Sequence, residues 1–346
     1  MALEADRAHV RLAELVAALS LGIDLGFGQP MEHVLRQCLI ALRLAERLGL
    51  DEDERAVVYY TALLINVGCH TDAHEQAKWF GDDIALKADT YEYDLRSVRM
   101  ATSGIRRLGA GNPPLHRFRV GLEFALSGHR EVDGMIEHHA AIARTLGEQL
   151  ELSDAVIDAL AAAYEMWDGK GWPGNLKGEQ IPVAARLAML AEFVEVAHRV
   201  GGVPAATGLA RKRSGKQFDP AAATCLCNDP EGVLGDLDRV NTWDAVIGAE
   251  PALAVVLSGE RFDAALTAIA AFVDLKSPYT LGHARGVADL AGRRATTSAS
   301  TNRSAARCAA LASCTISAAW ESRTPSGTSR GRSGRASGSA CGCRRI

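Results

Sequence analysis

The sequence predicts an all-α fold, on three observations. Ala and Leu are abundant whereas aromatic residues make up only 5% of the chain, a composition that favours helices over sheets. Apolar residues recur at helical spacing, as Leu35, Leu39 and Leu42 do between Val34 and Cys38. With 48% apolar residues in 346 positions, the chain can bury a sizeable core and has the length of about two domains.

Residues 31–64 are predicted to form two helices joined by a tight turn. Gly49 suits the position just past the first helix, with Leu50 as the apolar contact that follows it. Asp51 and Glu54 then form an acidic variant of the capping box, which starts the second helix.

Later in the chain, helical periodicity alternates with breaks. Helices are predicted at 115–127, 130–149, 153–165, 181–200 with Pro182 in the first turn, and 262–291. Residues 168–178 (DGKGWPGNLKG) form a glycine-rich loop, and residues 219–260 predict weaker, interrupted helices. From residue 292 onward the chain has little periodicity and too little apolar surface to offset its entropy, so we expect disorder there.

Charge is unevenly distributed along the chain. From Gly292 onward there are ten Arg, no Lys and one acid, Glu321, a net charge of +9, which leaves −13 on residues 1–291 of a chain whose net charge is −4. An acidic body argues against nucleic acid as the main partner of residues 1–291.

The sequence predicts a cytoplasmic protein that does not enter membranes. Its N-terminal residues lack the basic start and apolar run of a signal peptide, and no stretch is long and apolar enough to span a bilayer. Its eight cysteines include two CxC pairs but no second ligand pair at zinc-site spacing, so we expect free thiols.

Three blocks of sequence carry a family resemblance. Residues 165–173 (EMWDGKGWP) resemble the signature HHExxDGxGYP of HD-GYP domains in the HD phosphohydrolase superfamily. Residues 176–186 and 215–220 resemble the continuation of that signature, in the same order. The resemblance covers roughly residues 28–222. It implies an HD-domain helical bundle and a relation to metal-dependent phosphodiesterases that hydrolyse cyclic di-GMP, with a cyclic dinucleotide as the partner.

The resemblance also implies positions for a metal site. Family members hold two or three divalent metal ions, Fe or Mn, on His and Asp side chains, and the bridged ions activate a shared water and neutralise charge on the phosphate. His33 matches the first metal-binding His and His139 the intermediate His. In the glycine-rich loop, Asp168 and Lys170 match the family pattern and are assigned to ligand binding.

Several family ligands are replaced in this chain. The His-Asp pair expected 32 residues after His33 is Ile65-Asn66. The two histidines expected before Glu165 are Ala163 and Tyr164, and Glu192 stands where the family has an Asp. Isoleucine cannot bind a metal and a neutral amide binds it much more weakly than a carboxylate. We therefore predict weak or absent metal binding and no hydrolysis by this module.

Two interpretations of the next segment remain open. Five potential ligands follow the replaced pair, namely Cys69, His70, Asp72, His74 and Glu75. They form either a rewired metal site or a polar loop after a helix.

A second module is predicted near the end of the body. Residues 274–285 (DLKSPYTLGHAR) resemble the family opening DxYTxGHxxR, in which His283 is the first metal-binding His. An offset of 250 residues aligns His33 with His283. The predicted organisation is therefore a degenerate HD-GYP-like domain (1–222), a connecting region (223–261), the start of a second HD module (262–291) and a disordered tail (292–346).

The tail is consistent with a shifted reading frame. Read one frame over, residues 313–324 can encode Leu-His-Asp-Leu-Gly-Arg-Val-Gly-Val-Ser-Asn, which places a His-Asp pair at position 315, 32 residues after His283. The alternative is a genuine basic tail that binds nucleic acid or anionic surfaces.

Three functions remain open at this stage. The first is an HD-GYP-like phosphohydrolase homologue whose first module is inactive. The second is a non-catalytic module that senses a nucleotide or binds a protein, and the third is a regulator that has lost a DNA-binding domain. Apolar helix faces at 262–291 that lack their own module's partners also predict homo-oligomerisation.

Overall fold

The computed structural model describes residues 10–26, 28–71, 79–80, 105–106, 108–109, 111–251 and 255–297. These residues form an all-α fold with one two-stranded sheet, which confirms the predicted fold class. The helices are α1 (Leu12–Gly26), α2 (His33–Arg47), α3 (Glu52–Leu64), α4 (Pro114–Glu123), α5 (His129–Gln149), α6 (Asp154–Ala161), α7 (Val183–Arg213), α8 (Pro220–Asn228), α9 (Pro230–Leu234), α10 (Thr242–Gly248), α11 (Glu260–Val273) and α12 (His283–Thr297). The strands are β1 (Val10–Arg11) and β2 (Val256–Leu257), which pair antiparallel.

The turn between α2 and α3 forms as the sequence predicts. Gly49 adopts a φ of 76°, and the amide of Leu50 donates back to the carbonyl of Ala45 at 3.0 Å, which closes α2. Asp51 and Glu54 form the reciprocal capping box that begins α3. These local signals place α2 and α3 antiparallel, with their apolar stripes facing one core.

The core is centred on α7, which packs against α2 and α3. Pro182 is the N-cap of α7, and the helix contains a kink at Gly201 and Gly202, where the backbone leaves helical geometry. The buried part before the kink has Leu187, Leu190 and Val194 fully enclosed. This arrangement fixes the face of α7 that approaches the start of α2.

Helix α4 continues through a π-helical turn, Phe124–Gly128, into α5. The inner side of α4 packs on a separate small cluster. In this cluster the ring centroid of Phe124 lies 5.5 Å from that of Trp79 and 5.6 Å from that of Phe80. The two predicted helices at 115–127 and 130–149 are thus joined by this π turn.

The connecting region holds α8 to α10 and then β2, which pairs with β1. Arg11 and Tyr60 both bind the buried carboxylate of Glu250, Tyr60 through its hydroxyl at 2.8 Å. Helix α12 extends to Thr297, past the predicted boundary at 292. The predicted disorder and shifted frame of residues 298–346 lie outside the described residues.

In the part of the chain that the structure describes, no helix combines the length and apolarity needed to cross a membrane.

Candidate functional site

The site region lies around a 3-10 turn, Val67–His70, at the C-terminal end of α3. Helix α5 packs directly on this turn, because a Cβ atom placed on Gly68 would lie 2.3 Å from the carbonyl oxygen of His139. Only glycine permits this approach. The contact brings His139, which is buried, next to the segment that replaces the family's His-Asp pair.

That replaced pair is part of a closed, neutral hydrogen-bond network. Asn66 donates its side-chain amide to Oε1 of Gln37 at 3.1 Å, and Gln37 donates to the carbonyl of Ala62 at 3.2 Å. Gln37 lies one turn after His33 on α2, so this bond connects the helix that carries His33 to the replaced pair. Ile65 is 1% exposed and belongs to the apolar core.

His33 is fully buried and is paired with Glu195 of α7. Its Nδ1 lies 2.5 Å from Oε2 of Glu195, whose other oxygen accepts from Arg36 at 3.0 Å and lies 3.5 Å from Arg199. Burial opposes ionisation of Glu195, but the hydrogen bond with His33 and the nearby positive charges outweigh it and lower the pKa of this carboxyl. The carboxylate therefore remains charged beside His33.

Glu195 is a site residue that the sequence interpretation missed. The family alignment placed the carboxylate at Glu192, one helical turn earlier on α7. Glu192 is partly buried, and Glu195 contacts His33 directly. The sequence does offer one signal for Glu195, because it lies three residues after Glu192 and residues three apart share a helix face.

Asp24, near the end of α1, is a second buried carboxyl beside His33. Its Oδ1 accepts from the amide of Val34 at 3.0 Å, while Oδ2 has no hydrogen-bond partner. Burial raises the pKa of Asp24 from 3.8 to about 7, and the charge of His33 acts in the opposite direction.

Tyr164, which stands at a family histidine position, also makes contacts within the protein. Its hydroxyl lies 3.1 Å from Sγ of Cys69, and its ring centroid lies 5.9 Å from that of His139. The neighbouring Ala163 is 1% exposed and belongs to the core. The two positions before Glu165 thus contribute an aromatic contact and apolar packing.

The glycine-rich loop is anchored by Glu165. Its Oε1 accepts from the amides of Asn175 and Leu176 at 2.8 and 3.2 Å. A Cβ on Gly171 would lie 2.4 Å from the backbone of Tyr164 and Met166, so the loop folds tightly against this segment.

Asp168 and Lys170 meet at the surface of this loop. Nζ of Lys170 lies 3.1 Å from Oδ2 of Asp168, and the Lys170 side chain is 71% exposed. The Asp168 amide donates to the carbonyl of Lys216 at 2.8 Å, which fixes the start of the loop. The two predicted ligand-binding residues are therefore adjacent and accessible.

These residues do not fit a bridged metal centre of the family type. Among the described residues, no group of three or more His, Cys, Asp or Glu side chains is arranged to hold a metal ion. Where the resemblance expects further ligands, the chain has Asn66, which is bonded to Gln37, apolar Ile65, and Tyr164. The predicted alternative cluster cannot be placed, because Asp72, His74 and Glu75 lie outside the described residues.

His283 lies apart from this site, at the exposed start of α12. Two backbone features near His283 repeat those near His33 at an offset of 250 residues, although His33 is buried and His283 is exposed. Asp274 accepts from the amide of Ala284 at 3.0 Å, as Asp24 accepts from that of Val34. The residues before the two histidines, Glu32 and Gly282, have φ angles of 76° and 77°.

Comparison with known proteins finds similarity in both sequence and structure. A family model described as an HD domain matches residues 129–221. A 3'3'-cGAMP-specific phosphodiesterase 3 of Vibrio cholerae serotype O1 is 28% identical over 295 residues, covering 83% of this chain and 64% of that protein. The chain thus spans less than two thirds of this curated relative.

A solved structure shares the fold. The crystal structure of a cyclic GMP-AMP specific phosphodiesterase of V. cholerae matches with a TM-score of 0.69 and 25% sequence identity. The match covers 91% of this chain and 71% of the other.

Proposed function

We propose that this chain is a cyclic dinucleotide phosphodiesterase homologue of HD-GYP type, within the HD superfamily, whose first module does not hydrolyse. The HD-domain match over residues 129–221 and the similarity to a V. cholerae phosphodiesterase support this proposal. The observation that carries this proposal is the hydrogen bond between Asn66 and Gln37. It replaces the charged His-Asp ligands of the family with a neutral pair that satisfies itself. Cyclic di-GMP follows from the sequence resemblance, whereas 3'3'-cGAMP appears in the name of the curated relative.

The chemistry of the family explains why hydrolysis is lost. Two bridged divalent metals, Fe or Mn in the resemblance, lower the pKa of a shared water and stabilise charge on the transferred phosphate. A buried amide pair supplies no negative charge to offset two cations, and Ile65 presents only methyl groups. Without charged ligands, the free energy needed to remove water from a metal ion exceeds the binding free energy that His33 and His139 supply.

Hydrolysis by the purified full chain tests this proposal directly. The chain is incubated with Mn²⁺ or Fe²⁺ and with cyclic di-GMP or 3'3'-cGAMP, and linear product and bound metal are measured. We expect neither product nor stoichiometric metal. Hydrolysis that disappears in His33→Ala but persists in His116→Ala, a histidine on α4, would overturn the proposal, because it would place an active centre in this module.

Nucleotide binding without hydrolysis is a second candidate function. It is favoured by the loop geometry, since Glu165 still holds the loop while the metal positions are lost. The exposed Lys170 offers a positive charge to a phosphate. Calorimetry with each cyclic dinucleotide should then show binding that Lys170→Ala weakens and Lys212→Ala, at an exposed lysine near the end of α7, does not. Equal affinities in both variants would exclude this role for Lys170.

We further propose that α11 and α12 begin a second HD module, as the repeat around His283 indicates. Its remaining ligands would be encoded in the shifted frame of residues 298–346. Sequencing the gene and its transcript across codons 285–346 tests this. A one-base change that encodes His-Asp at position 315 would support a catalytic second module, whereas an unchanged frame in both would contradict it.

A further inference from the structure

Helix α4 has two apolar faces, only one of which is covered. Val120 is 8% exposed and faces the cluster around Trp79. On the opposite side, Leu115, Phe118 and Leu122 are 82%, 71% and 56% exposed. A row of apolar side chains left exposed on a helix normally marks an interaction surface, so the outer face of α4 requires a partner.

The exposed side chains form a continuous seam. Leu115, Phe118 and Leu122 follow the three-then-four spacing of a and d positions in paired helices. The next apolar residue, Leu126, lies four further on, within the π turn, and is 74% exposed. Because a π turn contains an extra residue, it keeps Leu126 near the line of the other three.

We propose that this seam, Leu115, Phe118, Leu122 and Leu126, is a homodimer interface in which two copies of the chain pair antiparallel. A two-fold interface brings the same patch from both copies together, so the patch must complement itself. The spacing of the seam meets this requirement. A two-fold axis near its middle sets Phe118 against the partner's Leu122, and Leu115 against the partner's Leu126.

Charges beside the seam favour the same pairing. Arg119 and Glu123 lie on one edge of α4, and antiparallel pairing places Arg119 near the partner's Glu123. The complementarity therefore selects a second copy of the chain.

Pairing at this seam reaches the site. Helix α4 leads through the π turn into α5, whose His139 backbone packs on Gly68. A partner bound to α4 therefore restrains the helix that forms one wall of the site region.

The molar mass of the full chain in solution tests the proposal, measured by light scattering over a range of concentrations. We expect the mass of two 36.8 kDa chains. Phe118→Glu combined with Leu122→Glu should halve that mass and leave the circular dichroism spectrum unchanged, because both side chains are exposed in the single chain. Leu290→Glu, at an exposed leucine of α12 (62% exposed), is the matched control and should remain dimeric.

Charge exchange provides an independent test that does not disturb apolar packing. Arg119→Glu should weaken the dimer, and the double variant Arg119→Glu/Glu123→Arg should restore it. A wild-type chain that is monomeric at every concentration would overturn the proposal, as would a seam variant that remains dimeric. Binding of the wild-type chain to phosphatidylglycerol vesicles that is lost in the seam variant would instead assign the seam to a membrane.

Discussion

Oε2 of Glu195 lies 2.5 Å from Nδ1 of His33, and both side chains are fully buried. The histidine that the resemblance assigns to the first metal position is therefore held by a carboxylate from the central helix α7. Arg36 binds the other oxygen of the same carboxylate. This arrangement makes His33 part of an internal ion-pair network that joins α2 to α7.

Glu195→Gln should destabilise the chain by about 3–5 kcal/mol, because removing one member of a buried pair leaves its partners without compensation. Urea unfolding followed by circular dichroism measures this loss. Glu151→Gln is the control, since Glu151 pairs with Arg261 at the surface, and it should cost less than about 1 kcal/mol. Equal losses in the two variants would show that the network contributes little to folding.

Asp24 should make stability fall as pH rises. Its pKa is about 7 in the folded chain against an ordinary 3.8, so the folded state holds a proton that the unfolded state has released. The stabilisation from this bound proton is complete below the unfolded pKa of 3.8. It is lost as the pH rises to about 7, by at most about 1.4 kcal/mol per pH unit.

Asp24→Asn should remove this slope, because an amide oxygen can still accept from Val34 but does not titrate. Denaturation midpoints of wild type and variant, compared from about pH 5 to about pH 8, should diverge up to about pH 7 and then stay parallel. Parallel curves over the whole range would mean that Asp24 titrates normally.

Gly68→Ala should disrupt the junction between α3 and α5. The added methyl group would meet the His139 carbonyl at 2.3 Å, so α5 must move, at a cost of about 1–3 kcal/mol. Gly134→Ala, within α5, is the control. Its added methyl group has no neighbour within 4 Å, so this variant should stabilise the chain by about 0.5–1 kcal/mol. Thermal unfolding of both variants distinguishes these opposite signs, and a stabilised Gly68→Ala would contradict the packing.

Asp274→Ala should loosen the first turn of α12. It removes the acceptor for the amide of Ala284, and losing such a cap costs about 0.5–2 kcal/mol. Hydrogen exchange at residues 284–286 should accelerate, whereas Asp289→Ala, within α12, should leave these amides protected. Unchanged exchange in Asp274→Ala would show that the repeated cap around His283 does not hold this helix.

The helix ends of the first half could be predicted because their causes are local. Gly49, Asp51 and Glu54 act on backbone groups within a few residues, so the turn between α2 and α3 follows from spacing alone. The loss of the His-Asp pair at Ile65-Asn66 is likewise visible by counting from His33. Residue identity alone excludes isoleucine as a ligand.

The interior of the site depended on contacts between distant segments. His33 and Glu195 are 162 residues apart, and their contact depends on the face of α7 that packs on α2. The bonds from Asn66 to Gln37 and from Tyr164 to Cys69 also join separate helices. Such pairs leave no periodic signal, because burial and helix packing, not sequence spacing, bring their atoms together.

The sequence by itself therefore determined the all-α class and the principal helices, and it predicted which family ligands are replaced. Only the tertiary structure decided what fills their place, namely an amide pair, an aromatic contact and a buried ion pair. The physical reason is that a helix forms from neighbours along the chain, whereas a buried polar group must find its partner wherever the packed core supplies one.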